Sequence, residues 1–254
     1  MKLFAGPCSL ESKELCFEVA RTIRDNLPTG IDYYFKTSFA KENRSSSTSF
    51  MGHGLDYAKD VFTYLRADGF KIITDVHETW QVEEIAPYVD ALQIPAFLCR
   101  QTPLLRAAAE TGLLVNVKKG QFLAPWDVTG ILSKTGMKNV LITERGTCFG
   151  YNNLVVDFTG LVYMIKEYQF KHGVPIVFDG THCVQKPGGL GESSGGNREY
   201  VPYLLRAAAS VGVENFFMEV HEEPDKSPSD GPNILHLEDF EGVLKSLKRI
   251  QHNI

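Results

Sequence analysis

The sequence lacks a long hydrophobic run, a paired cysteine motif and an excess of positive charge. No apolar stretch approaches the roughly 18 residues that a membrane-spanning helix needs, so a membrane partner is not expected. The five cysteines are odd in number and show no Cys-x-x-Cys spacing, which argues against a disulfide scaffold and favours a cytoplasmic location. Acidic residues (31) outnumber basic ones (26), so nucleic acid is not an expected partner either.

Short apolar runs that end in a reactive side chain recur eight times, and a helix-like segment follows each run. The runs end at Cys8, Lys36, His77, Gln93, Lys118, Arg145, His182 and Glu219. Strand followed by helix, eight times in 254 residues, predicts an α/β protein with one domain, a (β/α)8 or TIM barrel over residues 1–254. In that fold the carboxyl ends of the strands meet at one mouth, so these side chains are expected to share a site.

The predicted element boundaries follow the apolar runs and the capping residues. Ser12 is the expected N-cap of the first helix. Two of the later strands are predicted over Val140–Thr143 and Ile176–Phe178. The polar stretch 38–54 is too long for a plain connection and predicts a functional loop. Long loops are also predicted over 183–197 and 220–235, where barrels carry lids and site residues.

A metal site is one hypothesis for the strand ends. Cys8, His182, Glu219 and Asp230 follow strands 1, 7 and 8, which are neighbours where a barrel closes. A thiolate, an imidazole and two carboxylates suit Zn²⁺, Fe²⁺ or Mn²⁺ better than Mg²⁺. Spacing alone favours the alternative that Cys8 packs in the core and His182 is a hydrogen-bonded loop residue. Three acidic residues of the same loop compete with Asp230: Glu222, Glu223 and Asp225.

Positive charges follow strands 2, 5 and 6. They are Lys36, Lys41, Arg44, Lys118, Lys119 and Arg145. Lys36, Lys118 and Arg145 each end an apolar run that should be buried, and a buried cation needs an anion beside it. Because no matching set of strand-end carboxylates is evident, phosphate or carboxylate groups of a ligand are the expected partners. For Lys119 a solvated position is an equal alternative.

Other polar residues predict ligand binding at strands 3 and 4 and in the first long loop. Asp75 and His77 are two residues apart and therefore share a strand face, and Gln93 ends the next strand. A lone strand-end histidine is often structural, but this pairing favours a joint role. The segment 41–46 combines cation, amide and hydroxyl groups suited to a phosphate.

Seven sequence strings together closely resemble one family, the 3-deoxy-D-manno-octulosonate 8-phosphate synthases. The strings are residues 5–8 (AGPC), 35–39 (FKTSF), 41–46 (KENRSS), 73–78 (ITDVHE), 93–102 (QIPAFLCRQT), 116–122 (NVKKGQF) and 145–154 (RGTCFGYNNL). The resemblance runs from about residue 3 to the end of the chain, and it also implies a barrel.

The resemblance implies an aldol-type condensation. Members of this family join phosphoenolpyruvate, D-arabinose 5-phosphate and water to give 3-deoxy-D-manno-octulosonate 8-phosphate and phosphate, for lipopolysaccharide biosynthesis. The alternative is a related synthase that uses another aldehyde, such as erythrose 4-phosphate. A sister family has Lys-Pro-Arg-Thr-Ser where this chain has residues 41–45 (KENRS), so Asn43 and Ser45 favour arabinose 5-phosphate.

The strand-1 cysteine also implies a metal. In this family the metal-independent members have asparagine at that position, so Cys8 implies the metal-dependent group. The resemblance therefore favours a metal site over the core packing that spacing alone indicates, and it implies one divalent ion, Zn, Fe or Mn. Its implied ligands are Cys8, His182, Glu219 and Asp230.

The resemblance also assigns substrate contacts. Lys41, Lys118 and Arg145 are expected to bind phosphoenolpyruvate, with Lys36 and Gln93 nearby, while Asp75 and His77 complete the predicted substrate set. Asn43, Arg44 and Ser45 are expected to bind the sugar phosphate. Arg100 is expected to reach it from a neighbouring subunit, which implies a homo-oligomer, in this family a tetramer. The predicted catalytic residues are His182, Lys118, Lys41 and Asp230.

Overall fold

A computed structural model describes residues 1–42, 50–189 and 194–252 of the chain. Its central feature is a sheet of parallel strands that follow one another in chain order around a closed barrel. These strands are β1 (Lys2–Gly6), β2 (Asp32–Lys36), β3 (Lys71–Asp75), β4 (Ala91–Ile94), β5 (Leu114–Lys118), β6 (Val140–Glu144), β7 (Ile176–Asp179) and β8 (Asn215–His221). The predicted barrel is confirmed.

The barrel closes because β1 pairs with strands on both sides. Leu3 is opposite Tyr33 of β2 and also opposite Phe216 of β8, in parallel register. The short strand Leu235–His236 extends the sheet beyond β8. Two short antiparallel pairs of strands lie in the loops: Thr147–Cys148 pairs with Leu154–Val155, and Gln185–Lys186 pairs with Gly195–Gly196.

Helices surround the barrel and connect successive strands. In the described residues they are α1 (Lys13–Asp25), α2 (Leu55–Ala67), α3 (Thr79–Ile85), α4 (Thr102–Glu110), α5 (Thr129–Thr135), α6 (Phe158–Met164), α7 (Val201–Ser210) and α8 (Phe240–His252). Ser12 caps α1 as predicted, because its side chain accepts a hydrogen bond from the Leu15 N–H at 3.1 Å. None of these helices is long and apolar enough to cross a membrane.

Apolar side chains fill the barrel interior and the layer between strands and helices. Inside the barrel, Phe4, Ile73, Leu141 and Phe217 form a separate buried cluster. Because alternate residues of a strand point to opposite faces, their neighbours along each strand pack outward against the helices. The lumen is therefore packed, and polar chemistry is concentrated at the ends of the strands.

The amino-terminal end of the barrel carries a small ion network. Asp32 accepts hydrogen bonds from Lys2 and from Lys71, the latter at 2.6 Å. Both ammonium groups also lie over the ring of Tyr34, 5.6 Å and 5.2 Å from its centroid. Polar groups at this end neutralise one another, whereas the opposite end presents the pocket described next.

Candidate active site

The carboxyl ends of the strands surround a pocket of about 420 Å³. Ten of the residues singled out in the sequence line it: Lys36, Lys41, Asp75, His77, Gln93, Lys118, Arg145, His182, Glu219 and Asp230. They come from strands 2–8 and the loops that follow, so the barrel brings together groups that are distant in sequence.

Three ligand-type side chains meet at one side of the pocket, where Glu219 and Asp230 line it and Cys8 is buried next to them. Cys8, Glu219 and Asp230 each offer an atom within 4.8 Å of the others. The Cys8 thiol lies 3.5 Å from Oδ2 of Asp230, and both Cys8 and Glu219 are buried. Cys8 comes two residues after β1 and Glu219 lies in β8, and these strands pair across the closure of the barrel. We call these three residues together with His182 the acidic corner.

His182 completes this corner from the loop after β7. It begins a 3-10 turn, His182–Val184. Its Nδ1 lies 2.8 Å from Oδ2 of Asp179, while its Nε2 lies 3.9 Å from Oε2 of Glu219. A carboxylate only accepts hydrogen bonds, so Nδ1 carries the proton. In the neutral form of the ring, Nε2 then presents its lone pair toward the corner.

The turn that carries Asp230 is held from two sides. Asp230 itself has a left-handed backbone, φ 55°. Its Oδ2 accepts a hydrogen bond from the Ser229 hydroxyl at 2.8 Å, and its Oδ1 accepts one from Gln185 at 2.8 Å. Arg198 donates to the Gly231 carbonyl at 2.6 Å, next to Asp230 in the chain. In the described residues, the group of possible metal ligands that includes Asp230 contains neither Glu222, Glu223 and Asp225 nor His182.

Electrostatics in the acidic corner favour a positive partner. Burial, reinforced by the negative charge of Glu219, raises the pKa of the Cys8 thiol well above its ordinary value. Burial alone would lower the pKa of Lys41, but the nearby Cys8 and Glu219 raise it instead. Burial raises the pKa of Asp230, yet His182 and Lys41 outweigh it and hold that pKa below its usual value. Within the described residues, the buried Oε2 of Glu219 has no hydrogen-bond partner.

The other side of the pocket carries buried cations, and their partners correct an expectation. Lys36 lies 3.1 Å from Asp75, and Lys118 lies 2.6 Å from Asp179. The expectation that no strand-end carboxylates match these cations is therefore wrong. The predicted strands 6 and 7 end one residue too early, at Thr143 and Phe178, so Glu144 and Asp179 fall outside the predicted strand ends.

These pairs set the charge of the pocket. Burial would raise the pKa of Asp75, but Lys36 and Lys41 hold it well below its ordinary range. Burial lowers the pKa of Lys118, and the charge of Asp179 opposes that shift. The Lys118 ammonium also lies 3.1 Å from the centroid of the Phe217 ring. Opposite charges thus fix each cation at the pocket wall.

Lys119 and Arg145 have different surroundings. Lys119 is fully buried, 3.4 Å from Glu144, and donates to the Leu123 carbonyl at 3.1 Å. It is absent from the pocket lining, so neither a solvated position nor a ligand contact describes it. Arg145 does line the pocket and donates to Oε1 of Gln185 at 2.8 Å, while its buried Nη1 has no partner in the described residues.

A chain of hydrogen bonds runs under the pocket across neighbouring strands. The Thr143 hydroxyl donates to Asn116 at 2.6 Å, and Asn116 donates to Gln93 at 2.9 Å. Gln93 in turn donates to Oδ1 of Asp75 at 2.6 Å, and Ser38 donates to the other oxygen. These contacts fix the orientation of Gln93 and Asp75.

His77 is placed close to this chain of hydrogen bonds but not within it. Burial lowers its pKa, and the charge of Asp75 opposes the shift. Its Nδ1 is buried without a partner in the described part of the chain, while its backbone N–H donates to Gln81 at 2.8 Å. The residue lines the pocket, and its ring therefore retains unused hydrogen-bonding capacity there in the described residues.

The structure describes only one of the four predicted sugar-phosphate contacts, Arg100. Asn43, Arg44 and Ser45 lie outside the described residues. Arg100 is exposed and absent from the pocket lining, and its carbonyl accepts a hydrogen bond from Lys134 at 2.8 Å. Its predicted contact from a neighbouring subunit stays a prediction.

The structure adds residues that sequence reasoning missed. Asp179 touches both Lys118 and His182, and a strand boundary one residue later would have revealed it. Gln185 joins Arg145 to Asp230. Gln121 lines the pocket with a buried Oε1 that has no partner in the described residues. Glutamine is uncharged, so no charge pattern in the sequence singles out Gln185 or Gln121. Only the fold identifies these two residues.

Comparisons with known proteins show the family to which this chain belongs. The model of the DAHP synthetase I family matches residues 1–254. A 2-dehydro-3-deoxyphosphooctonate aldolase of Rhodopseudomonas palustris is 52% identical over 252 residues, 97% of this chain and 86% of that relative. A protein of the same name from Fusobacterium nucleatum is 52% identical over 248 residues, 96% of this chain and 87% of the relative.

A third relative extends the similarity to another bacterial group. The 2-dehydro-3-deoxyphosphooctonate aldolase of a Synechococcus species is 49% identical over 261 aligned positions, which cover 100% of this chain and 89% of that protein. Similarity of this degree over nearly the whole length confirms the resemblance seen in the motifs. The chain belongs to the DAHP synthetase I family, with 2-dehydro-3-deoxyphosphooctonate aldolases among its relatives.

Proposed function

We propose that this chain is the enzyme that condenses phosphoenolpyruvate with D-arabinose 5-phosphate and water. The products are 3-deoxy-D-manno-octulosonate 8-phosphate, which is 2-dehydro-3-deoxyphosphooctonate under another name, and inorganic phosphate. One observation carries the proposal: His182, Glu219 and Asp230 of the acidic corner line the same pocket as a set of cations, and the buried Cys8 lies beside them. Such a pocket suits two small phosphorylated substrates, one of which reacts beside a metal ion.

The cations are arranged to bind phosphoenolpyruvate. Lys118 and Arg145 project from β5 and the end of β6, with Lys36 and Lys41 across the pocket. In this proposal Lys41, Lys118 and Arg145 bind the phosphate and carboxylate, and the unpartnered Nη1 of Arg145 supports a bidentate contact. Fixed cations also stabilise the charge that develops on the leaving phosphate.

Residues of the acidic corner fit a divalent metal ion. Cys8, Glu219 and Asp230 offer ligand atoms within 4.8 Å of one another, and Nε2 of His182 lies 3.9 Å from Oε2 of Glu219, an oxygen with no hydrogen-bond partner in the described residues. A thiolate, an imidazole and carboxylates are the donor set of Zn²⁺, Fe²⁺ or Mn²⁺. When bound, such an ion would supply Lewis acidity toward the aldehyde oxygen or toward water.

The rest of the chemistry belongs to the substrates and to the residues that hold them. The enol carbon of phosphoenolpyruvate attacks the aldehyde carbon of the open-chain sugar phosphate. Water adds at C2 of the phosphoenolpyruvate unit, and phosphate leaves with cleavage of its C–O bond. Lys36, Gln93 and Asp75 hold the floor of the pocket rigid through their mutual contacts, and rigid placement of both carbons is worth roughly 7–11 kcal/mol in favourable cases.

The sugar phosphate is expected at the outer side of this pocket. Asn43, Arg44 and Ser45 are proposed to bind it, with Arg100 contributed by a neighbouring subunit. His77, whose Nδ1 has no partner in the described residues, is proposed to bind a sugar hydroxyl. This arrangement holds the aldehyde between the acidic corner and phosphoenolpyruvate.

An oligomer is part of the proposal, with a tetramer as the expected state. Large aromatic side chains are exposed in the loops after three consecutive strands, β4, β5 and β6. They are Phe97, Phe122, Trp126, Phe149 and Tyr151. Exposed apolar side chains of this size are typical of a protein interface, and Arg100 follows β4 at the same end of the barrel.

A cytoplasmic role in lipopolysaccharide biosynthesis completes the proposal. All five cysteines are free, and Cys8, Cys16, Cys99 and Cys183 are buried thiols. Free thiols are typical of a reducing compartment. The eight-carbon sugar acid phosphate is a precursor of the inner sugar of lipopolysaccharide.

The test is phosphate release from phosphoenolpyruvate with different aldehydes, in the presence and absence of excess chelator. We expect release with arabinose 5-phosphate, little with erythrose 4-phosphate, loss in chelator and recovery with Mn²⁺ or Fe²⁺. Faster phosphate release with erythrose 4-phosphate would show that this aldehyde, and not arabinose 5-phosphate, is the substrate. Full activity in excess chelator would show that the reaction needs no metal ion. Absence of phosphate release with every aldehyde would indicate a protein that binds sugar phosphates without catalysis.

A further inference from the structure

Asp179 lies at the boundary between the two sides of the pocket. It is the last residue of β7 and is fully buried. Its Oδ2 lies 2.6 Å from Nζ of Lys118 and 2.8 Å from Nδ1 of His182. Its Oδ1 accepts the backbone N–H of His182 at 2.9 Å. A single carboxylate thus contacts one cation of the phosphate-binding side and one residue of the acidic corner.

The contact with Asp179 fixes the orientation and the tautomer of the His182 ring. The two carboxylate oxygens bind both the ring and the backbone of the same residue, so the ring has little freedom to turn. Because Nδ1 donates to Asp179, the neutral ring carries its proton on Nδ1 and leaves Nε2, which lies 3.9 Å from Glu219, free to bind a metal ion. A carboxylate behind an imidazole ligand fixes the ring tautomer and raises its basicity.

The contact with Lys118 keeps the same carboxylate ionised and in place. A buried carboxylate without a cation is costly, and Lys118 supplies the cation from β5. The ammonium is in turn held between Asp179 and the ring of Phe217, whose centroid is 3.1 Å away. Neither group can shift without disturbing the other.

We propose that Asp179 is a positioning residue that orients His182 as a metal ligand and anchors Lys118 at the pocket wall. This role rests on the metal site proposed above. Asp179 contacts Nδ1 of His182, whereas the other ring nitrogen, Nε2, is the one nearer to Glu219.

Asp179→Asn tests this role with Co²⁺ as the probe. The amide keeps the size of the carboxylate but removes its charge and places a donor beside Nδ1 in one of its two orientations. We expect the dissociation constant for Co²⁺ to rise roughly 10–100-fold, the range typical for loss of such a partner. We also expect the visible ligand-field bands to shift, while the near-ultraviolet band from the Cys8 thiolate persists.

Glu144→Gln is the matched control. Glu144 is also a buried strand-end carboxylate that pairs with a lysine, Lys119, but it does not contact His182. Its substitution is expected to leave Co²⁺ affinity and spectrum unchanged. Equal loss in both variants, or no loss in Asp179→Asn, would overturn the role of Asp179 while leaving the metal site standing. A wild-type protein whose Co²⁺ spectrum has no thiolate band would overturn both.

A second measurement needs no variant of Asp179. In the Zn²⁺-loaded wild-type protein, the Nδ1 proton of His182 should give a slowly exchanging imino signal in proton NMR, because it is donated to a buried carboxylate. The signal is assigned by its loss in His182→Gln. A His182 ring whose only proton is on Nε2 would contradict the proposal, whether or not Asp179→Asn folds.

Discussion

At the scale of single residues, the pocket depends on opposite charges from neighbouring strands. Lys36 of β2 pairs with Asp75 of β3, and Lys118 of β5 pairs with Asp179 of β7. Loss of one partner of a buried pair costs about 3–5 kcal/mol because the other charge stays buried. The pairs therefore fix the pocket geometry before a substrate binds.

The Asp75 pair predicts a pH dependence of stability. Despite burial, Lys36 and Lys41 hold the folded-state pKa of Asp75 far below the unfolded value of about 3.9. Such a carboxyl contributes stability above the unfolded pKa and loses it as the pH falls toward the folded pKa. We expect the thermal midpoint of Asp75→Asn to lie below that of the wild type at neutral pH, with the gap narrowing below about pH 4.

Asp60→Asn is the control for this measurement. Asp60 is an exposed carboxyl on α2, and its substitution should leave the midpoint close to that of the wild type throughout. A gap between wild type and Asp75→Asn that stays constant down to about pH 3, below the unfolded pKa, would contradict the charge pairing of Asp75.

The cysteine of the acidic corner predicts how activity depends on metal. Cys8→Asn removes one proposed ligand and keeps a small polar side chain. We expect phosphate release to lose its stimulation by Mn²⁺ and any residual turnover to be insensitive to chelator. Cys148→Ser, which changes an exposed thiol outside the pocket, should keep both the activity and its stimulation. Undiminished metal stimulation in Cys8→Asn would exclude Cys8 as a ligand.

At the scale of elements, two long loops hold the acidic corner together. Gly196 follows β7 in a short hairpin, and a Cβ there would lie 1.5 Å from Oδ1 of Asn233. Asn233 is fully buried, and its backbone N–H donates to the Asp230 carbonyl at 2.8 Å. Close packing of glycine on asparagine therefore sets the position of the turn that carries Asp230.

Gly196→Ala tests this packing. The added methyl group has no space, and overpacking of this kind costs about 1–3 kcal/mol. We expect a lower thermal midpoint and weaker Co²⁺ binding, since the Asp230 turn must shift. Gly130→Ala, in α5 where a Cβ meets open space, should be neutral or slightly stabilising because alanine favours a helix. Equal effects of the two substitutions would contradict a specific role for Gly196.

The apolar pattern of the sequence predicts the strands of the barrel but not the residues at which they end. Apolar runs predict every barrel strand, because a buried parallel strand must be apolar on both faces. They do not mark where a strand ends, so the acidic residues at the ends of β6 and β7 fall in predicted loops. Asp179 ends an apolar strand, and its buried charge is tolerated because Lys118, 61 positions away in the sequence, lies beside it. Such a pairing is a property of the closed barrel and cannot be found in the local pattern.

At the scale of the whole molecule, the proposed oligomer predicts shared sites. Arg100 is exposed and lies outside the pocket of its own chain. We expect Arg100→Ala to raise the KM for arabinose 5-phosphate strongly and that for phosphoenolpyruvate little. When Arg100→Ala and Lys118→Met proteins are mixed and their subunits exchanged, activity at low arabinose 5-phosphate should rise above that of either variant alone. Exchange without recovery would place Arg100 outside the neighbouring site.

The central claim is that this barrel makes a carbon–carbon bond from phosphoenolpyruvate. The most direct measurement follows phosphoenolpyruvate labelled with ¹³C at its vinyl carbon by NMR, with arabinose 5-phosphate and the metal-loaded protein. We expect the vinyl signal to be replaced by that of a saturated ring methylene, with one phosphate released per labelled product and no change when the sugar is omitted. A label found only in the methyl group of pyruvate would show simple hydrolysis and would contradict the proposed reaction.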